Sequence, residues 1–127
     1  MKSLFIWGIA VFGIQAAAKG FQVGTCSFAE LVKSPEGFVY EIEFEAYHAK
    51  TGDRAGVVFI HADGDNFSVS NEYNLKYIRY AGGQVRGIEL IDENGDVALK
   101  ATREKVYSRI LGFEIPAGGF NATCQFN

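Results

Sequence analysis

The chain has 127 residues, 15 of them acidic and 12 basic, and a formal net charge of −3 at neutral pH. This length suits a single domain that can bury a substantial core. The weak negative charge argues against nucleic-acid binding, because domains that bind nucleic acids carry basic patches.

The first eighteen residues have the three-part pattern of a secretory signal peptide. Lys2 gives a positive start, residues 4–14 form an uncharged apolar run, and the small residues Ala16 and Ala18 precede the expected cleavage site. The apolar run is far shorter than the roughly 20 residues that a membrane-spanning helix needs. We therefore expect cleavage after Ala18 and a secreted or periplasmic mature domain over residues 19–127, with no membrane span.

After the signal, short apolar-alternating runs recur between breaks rich in Gly, Asn and Asp, as is typical of an all-β sandwich or barrel. Residues 38–46 show this pattern most clearly, with a period of two over nine residues. The even-numbered residues of this run are predicted to face inward and the odd-numbered ones outward. The chain is then predicted to turn at residues 51–53, return as a strand over residues 56–62 and turn again at residues 63–66.

Two dipeptides, Gly82-Gly83 and Asn94-Gly95, are typical of two-residue hairpin loops, in which both central residues need positive φ. If both loops form, they fix the strand registers on either side. The cross-strand pairs that follow are Lys76–Glu89, Leu75–Leu90, Glu89–Lys100 and Leu90–Leu99. The two turns thus agree on opposite-charge and apolar pairs, which predicts a three-stranded meander.

The segment over residues 98–111 has two interpretations. It is rich in helix formers and is followed by Gly112, a residue type common after helices. The meander instead requires a strand here. We favour a strand to about Thr102, with a loop or helical turn beyond it.

Two cysteines in an exported chain indicate a disulfide. Cys26 lies in the first mature strand, over residues 21–28, and Cys124 lies in the last, over residues 120–126, which follows a predicted turn at residues 116–119. We therefore predict an all-β domain, an antiparallel β-sandwich or flattened barrel of short strands that contains a meander. A Cys26–Cys124 disulfide joins its first and last strands.

Three weak constellations carry chemistry. The first is His61, Asp63 and Asp65, whose alternate spacing would place three ligands on one face of a strand. Such a set could hold Ca²⁺ or Mn²⁺, since hard cations prefer oxygen ligands. The same residues also form ordinary turn chemistry, which we favour, so no cofactor is predicted.

The other two constellations are charged. Glu41, Glu43 and Glu45 form a row on one strand face, which is either a solvated surface or a docking face for a basic partner. Arg79 and Arg86 face each other in the predicted register, and like charges directly opposite are unfavourable. They either bind an anion or carboxylate ligand or splay into solvent.

Asn66 and Asn121 lie in N-glycosylation acceptor patterns, which are used only if the host glycosylates such sites. No nucleophile elbow accompanies His48 or His61. We therefore expect a non-enzymatic exported binding or interaction domain, such as an inhibitor or envelope accessory protein, with a protein or small-ligand partner outside the cytoplasm. The alternatives are a small extracytoplasmic enzyme or metal-dependent binder that uses His61, Asp63 and Asp65, and a structural surface component.

The export and disulfide predictions are tested together by the intact mass of the secreted protein. The mature chain is expected to begin at Lys19 and to be two hydrogens lighter than its reduced form. A mass that retains residues 1–18, or that does not change on reduction, contradicts the corresponding prediction.

Overall fold

The computed structural model describes residues 20–110 and 119–127, apart from the side chains of residues 70 and 71. The predicted signal peptide and most of the predicted turn at residues 116–119 lie outside these residues. Within the described ranges, no helix is long and apolar enough to cross a membrane.

Eight antiparallel strands form a closed barrel, in which each strand pairs with its neighbours in the sequence and the last strand pairs with the first. The strands are β1 (Phe21–Ser34), β2 (Gly37–Ala46), β3 (Arg54–His61), β4 (Asn66–Arg79), β5 (Val85–Ile91), β6 (Val97–Thr102), β7 (Lys105–Ser108) and β8 (Phe120–Phe126). The predicted all-β class is confirmed, with the barrel as its form.

The barrel closes at the seam between β1 and β8. Cys26 lies directly opposite Cys124 in the strand pairing, and the two form a disulfide with their Cα atoms 4.0 Å apart. Both cysteines are buried with the core. At the end of the seam, the backbone N–H of Asn127 donates to the carbonyl of Val23 over 2.8 Å. The predicted Cys26–Cys124 disulfide between the first and last strands is confirmed.

Inward-facing side chains from the strands fill the barrel, as expected for one of only eight strands. The largest fully buried side chains are Phe44, Phe59, Ile42, Leu75, Ile88, Leu90 and Leu99. Apolar burial of this kind contributes about 25 cal/mol per Å² removed from water. The core therefore draws on nearly every strand, and closure at the seam completes it.

A bulge in β2 changes which residues reach this core. The pairing of β2 with β3 skips Tyr40, so the inward alternation shifts by one residue there. Val39 is fully buried, whereas Phe38 and Tyr40 are 51% and 42% exposed. The prediction that Phe38 and Tyr40 face inward is therefore wrong, while the inward orientation of Ile42, Phe44 and Ala46 is confirmed.

Three hairpins share one loop design. In each, three residues separate a pair of hydrogen-bonded residues, and the third loop residue is glycine with positive φ. The glycines are Gly64, Gly83 and Gly95, with φ of 95°, 89° and 87°. The closing bonds run from the N–H of the first flanking residue to the carbonyl of the second: His61 to Asp65, Tyr80 to Gln84 and Asp92 to Asp96, over 2.8–3.0 Å. This is the three-residue hairpin loop with a left-handed last residue, so the predicted two-residue loops are wrong.

The predicted registers are nevertheless confirmed. The pairs found are Lys76–Glu89, Leu75–Leu90, Glu89–Lys100 and Leu90–Leu99. Each longer loop would shift the register by one residue, but one strand of each hairpin contains a bulge that absorbs the shift. The extra residue is Arg86 in β5 and Ala98 in β6.

The region after residue 98 is two strands and no helix as far as residue 110. β6 ends at Thr102, as expected, and β7 follows after Arg103 and Glu104. Alternate residues of both strands are buried, which is the period of a strand rather than of a helix. The helical alternative is wrong because these residues complete the barrel wall. The expected loop or helical turn beyond Thr102 is also wrong, since only Arg103 and Glu104 separate β6 from the strand β7.

The loop design predicts opposite effects at two adjacent glycines. Gly83→Ala is expected to lower the free energy of unfolding by about 1–2 kcal/mol, because a Cβ in the left-handed conformation meets the backbone. Gly82 has no positive φ and nothing within 4 Å of an added Cβ. Gly82→Ala is therefore expected to be neutral or stabilising by about 0.4–1 kcal/mol. Urea unfolding measures both, and equal destabilisation would support the two-residue loop instead.

Candidate functional site

The histidine of the predicted metal set is built into the barrel. His61 is the last residue of β3 and is 2% exposed. Its Nδ1 lies 3.0 Å from the carbonyl oxygen of Asp65. Because a carbonyl only accepts hydrogen bonds, Nδ1 must carry the proton. Nε2 is buried without a hydrogen-bond partner among the described residues.

The two aspartates of this set lie in the exposed β3–β4 loop. The Oδ1 atom of Asp63 accepts a hydrogen bond from the backbone N–H of Asp65 over 3.1 Å, which stabilises the turn locally. The His61 imidazole is therefore buried in the barrel, whereas the Asp63 and Asp65 carboxylates are exposed to solvent. In the part of the chain that the structure describes, no three His, Cys, Asp or Glu side chains are grouped to hold a metal ion.

The predicted glutamate row lies on the outer face of β2. Glu41, Glu43 and Glu45 are half-buried and alternate with the buried Ile42 and Phe44. Their cross-strand neighbours on β1 and β3 are uncharged. We call Glu41, Glu43 and Glu45 the acidic row. No ion pair with these carboxylates occurs among the described residues.

The two predicted arginines lie in one pocket, together with a third. Arg79 ends β4, Arg86 is the bulged residue of β5, and Arg103 lies in the β6–β7 turn. The pocket is open, encloses about 560 Å³, and is completed mainly by Tyr80, Thr102 and Glu104. We call it the arginine pocket.

The side chain of Arg79 is held in place. Its Nη1 donates a hydrogen bond to the carbonyl of Gly83 over 2.9 Å. Its guanidinium carbon lies 5.2 Å from the centre of the Tyr77 ring, a cation–π distance. Burial raises the pKa of Tyr77 above its ordinary value, and the positive charge of Arg79 offsets only part of that rise. Tyr77 is therefore a neutral ring beneath Arg79 at physiological pH.

The predicted face-to-face placement of Arg79 and Arg86 is wrong in detail. Arg79 lies opposite Val85 because the bulge removes Arg86 from the ladder. The two side chains nevertheless line one pocket. Arg103 was missed, although a signal for it existed. The confirmed β5–β6 register continues to the pair Gly87–Thr102, and one residue further it places Arg103 beside Arg86.

His48 has a local role in the β2–β3 loop. The carboxylate of Asp53 accepts hydrogen bonds from the backbone N–H groups of His48 and Arg54, and the His48 ring nitrogen Nδ1 lies 3.7 Å from it. Burial raises the pKa of Asp53. The two backbone hydrogen bonds and the nearby His48 side chain together lower it by more than burial raises it, so the pKa lies below its ordinary value. The ionised carboxylate of Asp53 stabilises the β2–β3 loop by accepting these hydrogen bonds.

An acidic groove of about 600 Å³ lies beside the β5–β6 loop, lined in part by Glu72, Tyr73, Asp92 and Glu93. Burial raises the pKa of Tyr73, and the charges of Glu72 and Asp92 raise it further. Sequence reasoning missed this groove because its two sides are 20 residues apart.

Both glycosylation acceptor patterns are accessible. Asn66 and Asn121 are exposed, as are Ser68 and Thr123, the hydroxyl residues of the two patterns. The Oδ1 atom of Asn121 accepts a hydrogen bond from the Lys105 ammonium over 2.6 Å. Both patterns thus lie on the outer surface.

Comparison of the chain with protein-family models, with curated protein sequences and with solved structures found no match. The arrangement of the described side chains is therefore the basis for assigning a function. Of the predicted sites, the arginine pocket is the one in which several side chains of like charge line a concave surface.

The β3–β4 loop gives a test that separates a turn from a metal site. Asp63→Ala is expected to lower the free energy of unfolding by about 1 kcal/mol, because it removes the hydrogen bond to Asp65 N–H. Asp65→Ala is expected to change it by less than about 0.5 kcal/mol, since its side chain is exposed. For each variant, the change in free energy of unfolding should be the same in the presence of Ca²⁺, of Mn²⁺ and of a chelator. Stoichiometric metal uptake in equilibrium dialysis, lost in both variants, would instead support a metal site.

Proposed function

We propose that the chain is an exported, non-enzymatic binding domain that recognises an anionic group of its ligand in the arginine pocket. The observation that carries this proposal is the convergence of Arg79, Arg86 and Arg103 on one open pocket of about 560 Å³. Guanidinium groups match the planar geometry of carboxylates and the oxygens of phosphates through paired hydrogen bonds.

The charge balance of the pocket supports an anion. Glu104 is the one acid among its lining residues, against three arginines. Like charges brought together are unfavourable unless something offsets them, and a bound anion would do so. Neither Arg86 nor Arg103 has an ion pair among the described residues.

The position of Arg86 supports a binding role rather than a structural one. Arg86 is the unpaired residue of a bulge, and bulges commonly re-aim a side chain near functional sites. Its side chain is exposed and takes no part in the core. The rim of the pocket also carries Tyr80, which is 45% exposed and offers an aromatic surface to a ligand.

Placement outside the cytoplasm rests on two independent features. The first eighteen residues have the pattern of a signal peptide. The Cys26–Cys124 disulfide is compatible with an oxidising compartment, where disulfides persist.

Calorimetric titration with citrate and with inorganic phosphate at about 0.15 M ionic strength tests the pocket. The double variant Arg86→Gln/Arg103→Gln is expected to weaken binding at least about tenfold, because hydrogen bonds to charged groups contribute about 1.5–3 kcal/mol each. The matched control is Lys50→Gln/Arg109→Gln, which removes the same charge from exposed positions outside the pocket.

The control is expected to stay within about twofold of the unmodified protein, since distant surface charges are screened by salt. Equal weakening in both double variants would show that net charge alone attracts the anion. That result, or no binding of either anion at millimolar concentration, would overturn the proposal.

A further inference from the structure

The exposed apolar side chains of the barrel are unevenly distributed. Of the six large hydrophobic residues that are most exposed among those described, five lie on or directly beside the β1–β2 hairpin. They are Phe21 at 61%, Leu31 at 54%, Phe38 at 51%, Tyr40 at 42% and Tyr47 at 40%. Clustered exposed apolar groups mark interaction surfaces, whereas scattered ones are ordinary.

These side chains lie at both ends of the acidic row. Phe38 and Tyr40 precede Glu41 on β2, and Leu31 lies on the adjoining part of β1. At the other end, Tyr47 follows β2 directly. Phe21 pairs with Ala46, which faces the core, so Phe21 lies on the inner face at the rim of the barrel and is not part of this outer surface. We call the acidic row together with Leu31, Phe38, Tyr40 and Tyr47 the β1–β2 surface.

The residues directly beside the acidic row on the neighbouring strands carry no positive charge; Lys33, opposite Phe38 on β1, and Arg54, the first residue of β3, lie beyond the ends of the row. Across the sheet, the row that contains Glu43 reads Gln125, Thr25, Glu43, Val58 and Ser68 from β8 to β4, and the row that contains Glu41 reads Thr123, Ser27, Glu41, Ile60 and Asn66. Glu45 lies between Gln22 and Gly56. The three carboxylates therefore create a negative potential that these outward neighbours leave uncompensated.

We propose that the β1–β2 surface docks a basic segment of a protein partner in extended conformation. The lysines or arginines of that segment would occupy alternate positions, with apolar residues at its ends. Successive glutamates of the row are about 7 Å apart, because a strand rises about 3.3–3.4 Å per residue. Alternate side chains of an extended partner have the same spacing.

The docking occurs through side chains. β2 is already paired with β1 and β3 along the acidic row, so a partner has no free β2 backbone to join as an added strand. Opposite charges would set the register and speed association, while the apolar ends exclude water. The surface lies apart from the arginine pocket, so this inference does not depend on the proposed anion site.

The probe is a synthetic peptide of alternating lysine and threonine with a phenylalanine at each end. An isomer with its lysines contiguous has the same composition and charge. Fluorescence anisotropy of the labelled peptides at low and at physiological salt measures binding. The alternating peptide is expected to bind at least about fivefold more tightly than its isomer, and less tightly as salt rises.

Two variants of equal charge locate the binding. Glu41→Gln/Glu43→Gln/Glu45→Gln is expected to weaken binding of the alternating peptide about tenfold, because the variant loses three surface ion pairs that each contribute about twofold to the affinity. The control Glu72→Gln/Glu93→Gln/Asp96→Asn neutralises three exposed acids away from the hairpin and is expected to change binding less than twofold. Phe38→Ser/Tyr40→Ser is expected to weaken binding of the alternating peptide at least threefold.

Three results would overturn the inference. One is equal binding of the two peptides or equal weakening by the two acidic variants, since either would indicate net charge alone. Another is no binding at 1 mM peptide. The third is concentration-dependent self-association in sedimentation that the acidic-row variant abolishes, because the occupant would then be a second copy of the chain.

Discussion

The fold depends on closure of the seam between β1 and β8. Every other strand pair joins neighbours in the sequence, whereas this one joins cysteines that are 98 residues apart. Bringing such distant segments together is entropically unfavourable, and a disulfide removes much of that penalty from the unfolded chain, by about 4–5 kcal/mol in the chain-entropy view. Without this seam the sheet would have two open edges and a partly exposed core.

Much of the fold could be predicted because two kinds of local signal agreed. Glycine-rich turns marked the hairpins, and cross-strand pairs such as Lys76–Glu89 fixed the registers. The registers were right although the loop length was wrong, because the residue added by each loop is absorbed by a bulge at Arg86 or Ala98. Apolar pairing across the core restricts the strands more tightly than the turns do.

Bulges also explain what sequence reasoning could not foresee. Strict alternation assumes an uninterrupted strand, and nothing in residues 38–46 distinguishes a regular strand from one that skips Tyr40. Only part of the arginine pocket was predicted from the sequence, since Arg79 and Arg86 belong to one hairpin and Arg103 belongs to the next turn. Its third member could have been predicted, because the β5–β6 register extended by one residue beyond Gly87 and Thr102 places Arg103 beside Arg86. The separation of buried His61 from exposed Asp63 likewise follows from where β3 ends, not from residue spacing.

The bulge at Tyr40 has a consequence for how such a surface can arise. One additional residue in β2 is enough to exchange the two faces of the strand above it, so that Phe38 and Tyr40 lie outside and Val39 lies inside. The bulge therefore lets β2 carry one residue more than the strand it pairs with while Val39 stays in the core, and the additional residue places a second aromatic side chain beside Phe38 on the outer face. In this barrel, the residues available for recognition are determined by strand length as well as by residue type.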